Sequence, residues 1–468
     1  MNRQNPTLIT LSLGLTALIG TLNITMFNVA LPAMMTYFDA PLSTVQWLTS
    51  GYLLAAGMII PAAGFLGDRI GYKRILCMIM LAILALSIAG PFAWCIEALI
   101  LVRFLFGLFG GLLSPLSLAM MYRVLPVHQQ AKAASIWSIA LMLGGMLPSV
   151  LSGVILSVAN WRFLLLFNVP FALLALFLCI RFLPADTAAG SNRLDFVGLT
   201  LTSLGSISLL FTFSNLSAWG LSWKLFVGIL LGIGCLAFYV VRSWNRSDAL
   251  LNLSVLKYKH YVAAFLAAGI NSLALYMITF LMPLFLQNGL GVSALLTGMI
   301  MLPPSLFSML SMPIATKLYP KLGEKKLIVL GILILVVGSS PFIVATPATP
   351  VALILATMCV RCCGMGFMQL VATNAQMSSV PAELSGHASS LANWFHQMLN
   401  AFIVAAAGSV ADMRIATAKA ASDSAESLAY AYTSTTNLMM VVSCLLLLSI
   451  IPIALKYFRG KEDLPKTN

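Results

Sequence analysis

The sequence predicts an all-α polytopic membrane protein, and three observations lead to that fold class. The 468-residue chain is 60% hydrophobic and only 8% charged, whereas soluble domains carry about 25% charged residues. Apolar runs of about 20 residues, each long enough to cross a bilayer as a helix, recur along the chain. Basic residues collect in alternate loops between these runs, as in other membrane proteins. No soluble fold could bury this much apolar surface.

Fourteen apolar runs have the length of a membrane-spanning helix. The first run is too long for the core of a signal peptide, so we expect it to be retained as the first span. The predicted spans are residues 8–34, 47–65, 75–94, 98–121, 133–156, 163–182, 196–216, 223–241, 262–286, 294–316, 327–345, 351–375, 385–410 and 430–455.

The distribution of positive charge predicts the orientation. With both ends in the cytoplasm, the inside loops and tails hold 20 of the 26 Lys and Arg residues, and two others lie within spans. The outside loops hold only Arg162, Lys224, Arg414 and Lys419. This bias predicts an even number of spans and an N-in, C-in topology. It also accounts for the net charge of +13 without a nucleic-acid partner.

The loop between the second and third predicted spans has the sequence GFLGDRIGYKR, at residues 64–74. Its glycines permit a sharp turn and a close approach of helices, and Asp68 can cap the next helix or pair with an arginine. The pattern G-x-L-G-D-R-x-G-x-K-R resembles the loop motif of the major facilitator superfamily. That resemblance implies a conformational latch, in which Asp68 contacts the end of a C-half helix and Arg69 bridges to neighbouring helices. A solvated loop without a switching role is the alternative. The candidate latch residues are Gly64, Gly67, Asp68, Arg69, Gly71, Lys73 and Arg74.

Residues 316–326, with the sequence TKLYPKLGEKK, weakly echo this loop. Gly323 takes the place of Gly71, although no aspartate corresponds to the one in the first loop. Arg361 follows the second loop much as Arg103 follows the first. Parallel halves related by an axis along the membrane normal are typical of the superfamily. We therefore predict two six-helix halves, with coincidence between two basic loops as the alternative.

Two further predicted spans lie between the halves, after a polar linker at residues 184–192. A plan of six, two and six spans is that of the fourteen-span drug:proton antiporters. We predict an N-terminal six-helix bundle over residues 1–184, a linker with two extra transmembrane helices over 185–256, and a C-terminal six-helix bundle over 257–468.

Five stretches resemble motifs of that fourteen-span family. Residues 22–32, LNITMFNVALP, resemble its span-1 signature L-D-x-T-I-V-N-V-A-L-P. Residues 101–107 resemble its span-4 motif, with Arg103 as the buried arginine. The other three stretches are residues 46–52, 161–170 and 195–198.

Two departures from the family pattern concern function. The family's span-1 aspartate, to which proton coupling or cation recognition is generally ascribed, is Asn23 here, and an amide cannot titrate. The span-5 antiporter motif, roughly G-x-x-x-G-P-x-x-G-G, is eroded to Gly144, Gly145 and Pro148, which are candidates for a helix bend. The resemblance thus supports the fold better than it supports antiport.

A charge at membrane depth is costly and indicates function by default, yet no carboxylate falls clearly in the centre of a predicted span. Asp39 and Glu97 lie near the outer mouth, either as sites of proton exchange or as solvated helix ends. Arg103 and Arg361 lie centrally, and they either line a cavity for an anionic substrate or bond helices together. His396 is the one span group that titrates naturally near neutrality, so it is either a coupling group or a packed histidine.

Polar residues within the spans mark a candidate substrate cavity between the halves. Some would line it, and others would form helix–helix hydrogen bonds, each worth about 1 kcal/mol. The 25 Met and 26 Phe residues would suit an adaptable apolar pocket. The candidates are Asn23, Asn28, Tyr52, Asn271, Tyr276, Gln369, Asn374, Asn393 and Asn400.

The sequence gives no indication of a metal, a cofactor or an enzyme. The eight cysteines lie in or at the ends of apolar runs, without the further ligands that a metal site needs. There is no nucleophile–base pair and no phosphate-binding loop of the form G-x-x-x-x-G-K-[ST]. We therefore expect no metal, no cofactor and no enzyme activity, and we exclude an ATP-driven pump in this chain.

The leading hypothesis is a secondary active transporter that exports hydrophobic or amphipathic small molecules, as in multidrug efflux, by alternating access. The resemblance implies proton coupling and a monomer in a bacterial inner membrane. The expected partners are the lipid bilayer, a small-molecule substrate and protons. Two alternatives stay open: a proton-uncoupled facilitator or exchanger of an organic anion or metabolite, and a non-transporting membrane receptor.

Overall fold

Regular secondary structure in the computed structural model is entirely helical within the residues that it describes, which are 6–184, 195–220, 222–244, 246, 251–381, 384–421 and 424–458. Thirteen helices in these ranges are long and apolar enough to cross a membrane. They are α1 (Pro6–Thr25), α2 (Leu42–Ile70), α3 (Tyr72–Phe92), α4 (Ile96–Val124), α5 (His128–Val158), α6 (Arg162–Phe182), α7 (Phe196–Ser214), α8 (Trp223–Ser243), α9 (Lys259–Gly289), α10 (Ala294–Ile343), α11 (Val351–Ser378), α12 (His387–Ala421) and α13 (Ala425–Tyr457). Residues 185–192 of the predicted linker lie outside the described ranges.

Proline and glycine shape the junction of α2 and α3. Helix α2 tightens into a 3₁₀ turn at Ile60–Ala62, because Pro61 has no backbone N–H to donate to a regular helical ladder. The helix ends at Ile70, and Gly71 then adopts φ 95° and ψ 134°, in the left-handed region that favours glycine. A single glycine therefore joins the two helices.

Helix α10 is 50 residues long, which at 1.5 Å per residue is about 75 Å and more than twice the thickness of a bilayer core. Gly323 interrupts it with φ 73° and ψ 172°. The two arms on either side of Gly323 both pack on α11. A methyl group at Gly366 would meet Ser311 of the first arm, and one at Gly364 would meet Gly331 of the second. The arms therefore fold back on one another, and they correspond to two separate apolar runs.

Helix α12 is longer than its predicted span, 385–410. It extends to Ala421, so Arg414 and Lys419 lie on the helix and not in a loop. The extension has the sequence ADMRIATAKAA, at residues 411–421. Its alanines are the strongest helix formers, and they continue the helix where the apolar run ends.

The first six helices pack through close backbone contacts at glycines. A methyl group at Gly107 of α4 would lie 2.3 Å from the carbonyl oxygen of Tyr52 on α2, and one at Gly111 would lie 2.7 Å from Cα of Ala56. Small residues let membrane helices approach in this way. Most buried apolar side chains of this half belong to one cluster, which also includes residues of α9, α12 and α13. A second cluster joins α9, α10, α11 and α13.

Helices α7 and α8 form a hairpin at the periphery. Gly205 and Gly232 face each other, since a methyl group on either would lie 3.1 Å from the carbonyl oxygen of the other. The hydroxyl of Ser409 on α12 donates to the carbonyl of Phe213 on α7 at 2.7 Å. Helix α8 exposes large apolar side chains such as Leu230, as expected of a surface that faces lipid.

Candidate functional site

A cavity of about 1310 Å³ lies between the two halves. Helices α1, α2, α4 and α5 line one wall, and α9 and α12 line the other. The lining runs from Tyr52 and Tyr276, in the interior of α2 and α9, to Asp68 and Tyr122. We call the end of the molecule that carries residues 64–74 the latch end. The cavity therefore extends from the middle of the helices to the latch end.

At the far end, opposite the latch end, the halves pack backbone against backbone. A methyl group at Gly153 of α5 would lie 2.6 Å from the carbonyl oxygen of Ala294 on α10. One at Gly298 of α10 would lie 2.4 Å from the carbonyl oxygen of Ser149 on α5. Such contacts leave no room for a passage between α5 and α10.

Two hydrogen bonds also join the halves at the far end. Asn28 donates its side-chain amide to the carbonyl of Thr279 on α9 at 3.4 Å. Gln287, near the end of α9, donates to the carbonyl of Val29 at 2.9 Å. Together with the glycine contacts, these bonds close the far end while the cavity reaches the latch end.

The N-half wall of the cavity is mainly apolar, because its polar groups are bonded within their own half. Tyr52 donates its hydroxyl to the carbonyl of Gly20 at 2.9 Å. Trp137 donates its indole N–H to the hydroxyl of Ser117 at 3.0 Å, and Thr21 donates to a carbonyl of its own helix.

The C-half wall is polar along one helix. Seven side chains of α12 line the cavity: His387, Ser389, Ser390, Asn393, His396, Gln397 and Asn400. Their spacing of three, four and seven residues places them on one helical face. The sequence analysis singled out only three of them, although a polar stripe at helical period within an apolar run was a usable signal.

Formal charge is confined to the latch end of the cavity. Among the described lining residues the carboxylates are Asp68 and Asp195, and no lysine or arginine lines the cavity. Asp195 begins α7, where it accepts the backbone N–H of Gly198 and pairs with Arg242 at 3.0 Å. His396, on α12, places an imidazole in the lining away from these carboxylates.

The structure brings four of the nine predicted cavity residues together: Tyr52, Tyr276, Asn393 and Asn400. The remaining five do not line the cavity. Asn28 accepts from Thr49 at 2.7 Å, Asn271 donates weakly to Gln369 at 3.4 Å, and Asn374 is exposed on α11.

Asn23 is buried away from the cavity in an amide pair. Its Nδ2 donates to Oδ1 of Asn168 on α6 at 2.9 Å, and Nδ2 of Asn168 donates back at 3.1 Å. Both residues are 2% exposed. Sequence reasoning did not single out Asn168 as a partner, because the two residues are 145 positions apart.

Arg103 is fully buried and bonds helices together. It donates from Nε to the carbonyl of Leu48 at 3.0 Å and from Nη2 to the carbonyl of Asn23 at 2.9 Å. Its guanidinium also lies 4.2 Å from the ring centroid of Phe27 and 4.6 Å from that of Tyr52. Carbonyl and aromatic partners of this kind make a buried cation tolerable.

Arg361 is placed in a similar way in the C-half. It is fully buried and donates to the hydroxyl of Ser339 at 2.8 Å, the carbonyl of Ala274 at 3.0 Å and the hydroxyl of Ser443 at 3.1 Å. These partners lie on α10, α9 and α13. Neither arginine lines the cavity, so neither offers its charge to a substrate there.

At the latch, Asp68 pairs within its own half. Its Oδ1 accepts from Nη2 of Arg123 on α4 at 2.5 Å and from the hydroxyl of Tyr72 at 3.1 Å. Arg123 also covers the ring of Tyr72, at 4.4 Å from its centroid. These contacts of Asp68 stay within the N-half in this conformation, in which the cavity reaches the latch end.

The expected loop is helical up to Ile70, and the other latch residues anchor the junction of α2 and α3. Lys73 donates to the carbonyls of Ile180 and Leu183 at the end of α6, at 2.8 and 2.6 Å. Arg69 lies over the ring of Phe65 at 5.6 Å. Arg74 is exposed, and a side chain at Gly64 would meet no atom within 4 Å. Gly67 packs on the ring of Tyr72, which a methyl group would approach to 2.5 Å.

The second loop carries a buried carboxylate that sequence reasoning missed. Glu324, which follows Gly323, is 1% exposed. It bonds to Nε2 of His260 on α9 at 2.9 Å and accepts the hydroxyl of Tyr319 at 2.8 Å. His260 also bonds to Ser379 at 2.5 Å. The C-half therefore has a carboxylate–tyrosine cluster of its own, although the carboxylate occupies a different position from Asp68.

The remaining candidates lie away from the cavity. Asp39 and Glu97 are exposed at the far end. Gly144 packs against Leu18 and Thr21 of α1, while a side chain at Gly145 would meet nothing within 4 Å. Helix α5 continues unbroken through Pro148. Within the described residues, no three His, Cys, Asp or Glu side chains are grouped to hold a metal ion.

The family is decided by a model described as Major Facilitator Superfamily, which matches residues 13–405. The chain belongs to the major facilitator superfamily. It is therefore a multi-pass membrane transporter of small molecules and not an enzyme.

Two relatives and one solved structure illustrate the similarity. The uncharacterized MFS-type transporter YhcA of Bacillus subtilis is 27% identical over 398 residues, 85% of this chain and 75% of that protein. The multidrug efflux pump LfrA of Mycolicibacterium smegmatis is 26% identical over 387 residues, 82% of this chain and 77% of that protein. A crystal structure of a bacterial homologue of the human lysosomal transporter Spinster has a TM-score of 0.68 at 14% identity, over 97% of both chains. This likeness supports the same fold.

Proposed function

We propose that this transporter exports hydrophobic or amphipathic small molecules, as multidrug efflux proteins do. The observation that carries the proposal is the cavity between the two halves, which reaches the latch end while α5 and α10 close the far end. A substrate that enters at the latch end would be released after the halves rock and open the far end. The name of the relative LfrA, a multidrug efflux pump, supports this class of substrate.

We propose fourteen spans in the order six, two and six, with both ends in the cytoplasm. The fold of α10 at Gly323 supports this count, because its two arms are each long enough to cross the bilayer. The halves would be residues 1–184 and 257–468, joined by residues 185–256. The basic residues of the latch loop support a cytoplasmic latch end, in a monomer in the inner membrane of a bacterium.

After the halves rock, the far end would be open and the latch end closed. In that state the latch residues would hold the latch end shut. Asp68 faces the cavity, so closure of the halves would bring it toward C-half helices. Its pair with Arg123, in which the two side chains are 34% and 53% exposed, is weak enough to be exchanged for new partners. Opening of the far end would separate Gly153 from Gly298.

We propose that transport is coupled to protons through His396. Its imidazole lines the cavity at membrane depth, and its Nε2 is buried without a hydrogen-bond partner among the described residues. Phe265 and Phe395 flank the ring at 6.2 and 6.3 Å. Substrate and proton would then compete for one site, which is the requirement for antiport.

An uncoupled facilitator or exchanger is the second candidate, and one observation favours it. Asn23 stands where the resembling family has an acid, and its amide is occupied by Asn168. The structure does not favour an anionic substrate for such a facilitator. Arg103 and Arg361 are bonded to backbone and hydroxyl groups outside the cavity, so they cannot serve as its counter-charges.

Transport in inside-out membrane vesicles tests the proposed export. Vesicles with the protein should accumulate a hydrophobic fluorescent dye when their lumen is acidified, and a proton-exchanging ionophore should release it. Vesicles from cells without the protein are the control. Equal accumulation in both preparations, over a panel of dyes, would contradict export and favour the non-transporting alternative.

A further inference from the structure

The two walls of the cavity offer different interactions to a bound molecule. On the N-half side, Tyr52, Trp137 and Thr21 use their donors within their own half. The rest of that wall consists mainly of glycine, alanine, leucine and proline residues. This wall can therefore pack against an apolar surface but adds few hydrogen bonds.

The α12 wall can still form hydrogen bonds. Nε2 of His396 is without a partner among the described residues. Asn393 is exposed, and its amide donates only weakly to Oγ of Ser389, at 3.5 Å. Asn400 accepts from Ser272 at 2.8 Å and keeps its own N–H donors. Gln397 lies on the same face and adds a second flexible amide.

The membrane-depth part of the cavity does not compensate a charged ligand. The carboxylates Asp68 and Asp195 lie at the latch end and are paired with Arg123 and Arg242. The guanidinium of Arg103 already lies over the ring of Tyr52, at 4.6 Å from its centroid. Its positive charge would repel a cationic ligand that bound to the same ring. While His396 is neutral, an unpaired ligand charge would be costly there.

We propose that the substrate is an uncharged amphipathic molecule whose hydroxyl or carbonyl groups lie along one edge, and that α12 recognises this edge. The inference rests on the proposed transport function and specifies its substrate class. The apolar edge packs against α1, α2, α4 and α5. Amide side chains donate and accept equally well, so Asn393 and Gln397 can read either hydroxyl or carbonyl groups.

Equilibrium binding to the purified full chain in lipid nanodiscs tests this inference. The probes are radiolabelled digitoxin, which is uncharged with hydroxyl groups along one edge, and radiolabelled tetraphenylphosphonium, a cation without hydrogen-bonding groups. We expect tighter binding of digitoxin. The double variant Asn393→Leu with Gln397→Leu should weaken digitoxin binding about tenfold, as two lost hydrogen bonds would. Asn374→Leu is the matched control, because Asn374 is exposed on α11 outside the cavity.

Tighter binding of the cation, or unchanged digitoxin affinity in the double variant, would overturn the inference. The midpoint of thermal unfolding shows whether the double variant is folded. Unchanged binding of the cation shows that its cavity is still accessible to a ligand. Transport of both probes in proteoliposomes separates the two proposals. Transport of the cation alone would overturn the substrate class and leave export standing. Digitoxin could bind, and bind more weakly to the double variant, without being transported. That result would support recognition by α12 and contradict export.

Discussion

Asn23 and Asn168 hold each other through two reciprocal amide hydrogen bonds of 2.9 and 3.1 Å, buried between α1 and α6. The pair is neutral at a position where the resembling antiporters carry an acid. The pair also lies outside the cavity. The backbone carbonyl of Asn23 accepts a hydrogen bond from Arg103. In this chain the position therefore fastens two helices and offers no titratable group.

Replacement of one member of this pair should cost more than replacement of both. Asn23→Leu leaves Oδ1 of Asn168 buried without its donor, which we expect to lower the free energy of unfolding by ~1–3 kcal/mol. Addition of Asn168→Leu should recover part of the loss, because two apolar partners need no hydrogen bond. Thermal unfolding of the purified variants measures both effects. Strictly additive losses would contradict the pairing.

The latch predicts an effect on transport without an effect on stability. Asp68→Asn removes the charge that pairs with Arg123, and an exposed pair of this kind contributes only ~0.2–1 kcal/mol to stability. We expect transport to fall about tenfold, which corresponds to ~1.4 kcal/mol in the barrier, at unchanged surface expression. Glu97→Gln, at an exposed carboxylate of the far end, is the control. Unchanged transport in the Asp68 variant would leave the loop with a topological role alone.

The buried cluster in the second loop predicts the opposite pattern. Glu324 is 1% exposed, so Glu324→Gln weakens buried charge-assisted bonds to His260 and Tyr319. We expect a loss of ~1.5–3 kcal/mol in stability, visible as a lower unfolding midpoint. Glu426→Gln, at an exposed position in the first turn of α13, should leave the midpoint unchanged. Equal midpoints for both variants would argue against a structural role of the cluster.

Close packing at the far end predicts that a bulky residue prevents closure. Gly298→Leu would push against the backbone of α5, where even a methyl group lies 2.4 Å from the carbonyl of Ser149. We expect the initial rate of dye uptake into inside-out vesicles to fall at least about tenfold. Gly145→Leu is the matched control, since no atom lies within 4 Å of a side chain there. Full activity of the Gly298 variant would contradict closure between α5 and α10.

The helices could be predicted from the sequence because each apolar run must bury its backbone polar groups in lipid. The turn at Gly323 was also anticipated, since it aligns with Gly71. The extension of α12 was not, because residues 411–421 are too polar for a membrane span and are held helical by their alanines. Hydropathy identifies the part of a helix that crosses the lipid, but it does not show how far the helix continues beyond the membrane.

The site was predictable only in part. Asn393, His396 and Asn400 share a helical face, so their common orientation follows from spacing alone. The partners Asn168 of Asn23 and His260 of Glu324 are brought together by tertiary packing over 145 and 64 residues, which no local pattern encodes. The sequence likewise could not show that Arg361 lies outside the cavity. An arginine in the middle of a span can face either a substrate or neighbouring carbonyls.

The most direct test of the account is proton movement in proteoliposomes that contain the purified protein. A pH gradient is imposed, and uncharged, cationic, zwitterionic and anionic amphipaths are added in turn while an internal dye reports pH. We predict that a transported substrate collapses the gradient in the wild type but not in His396→Gln, while His128→Gln, at an exposed histidine, behaves as the wild type. Movement of labelled substrate without proton flux in the wild type would contradict the coupling and make the protein an uncoupled facilitator.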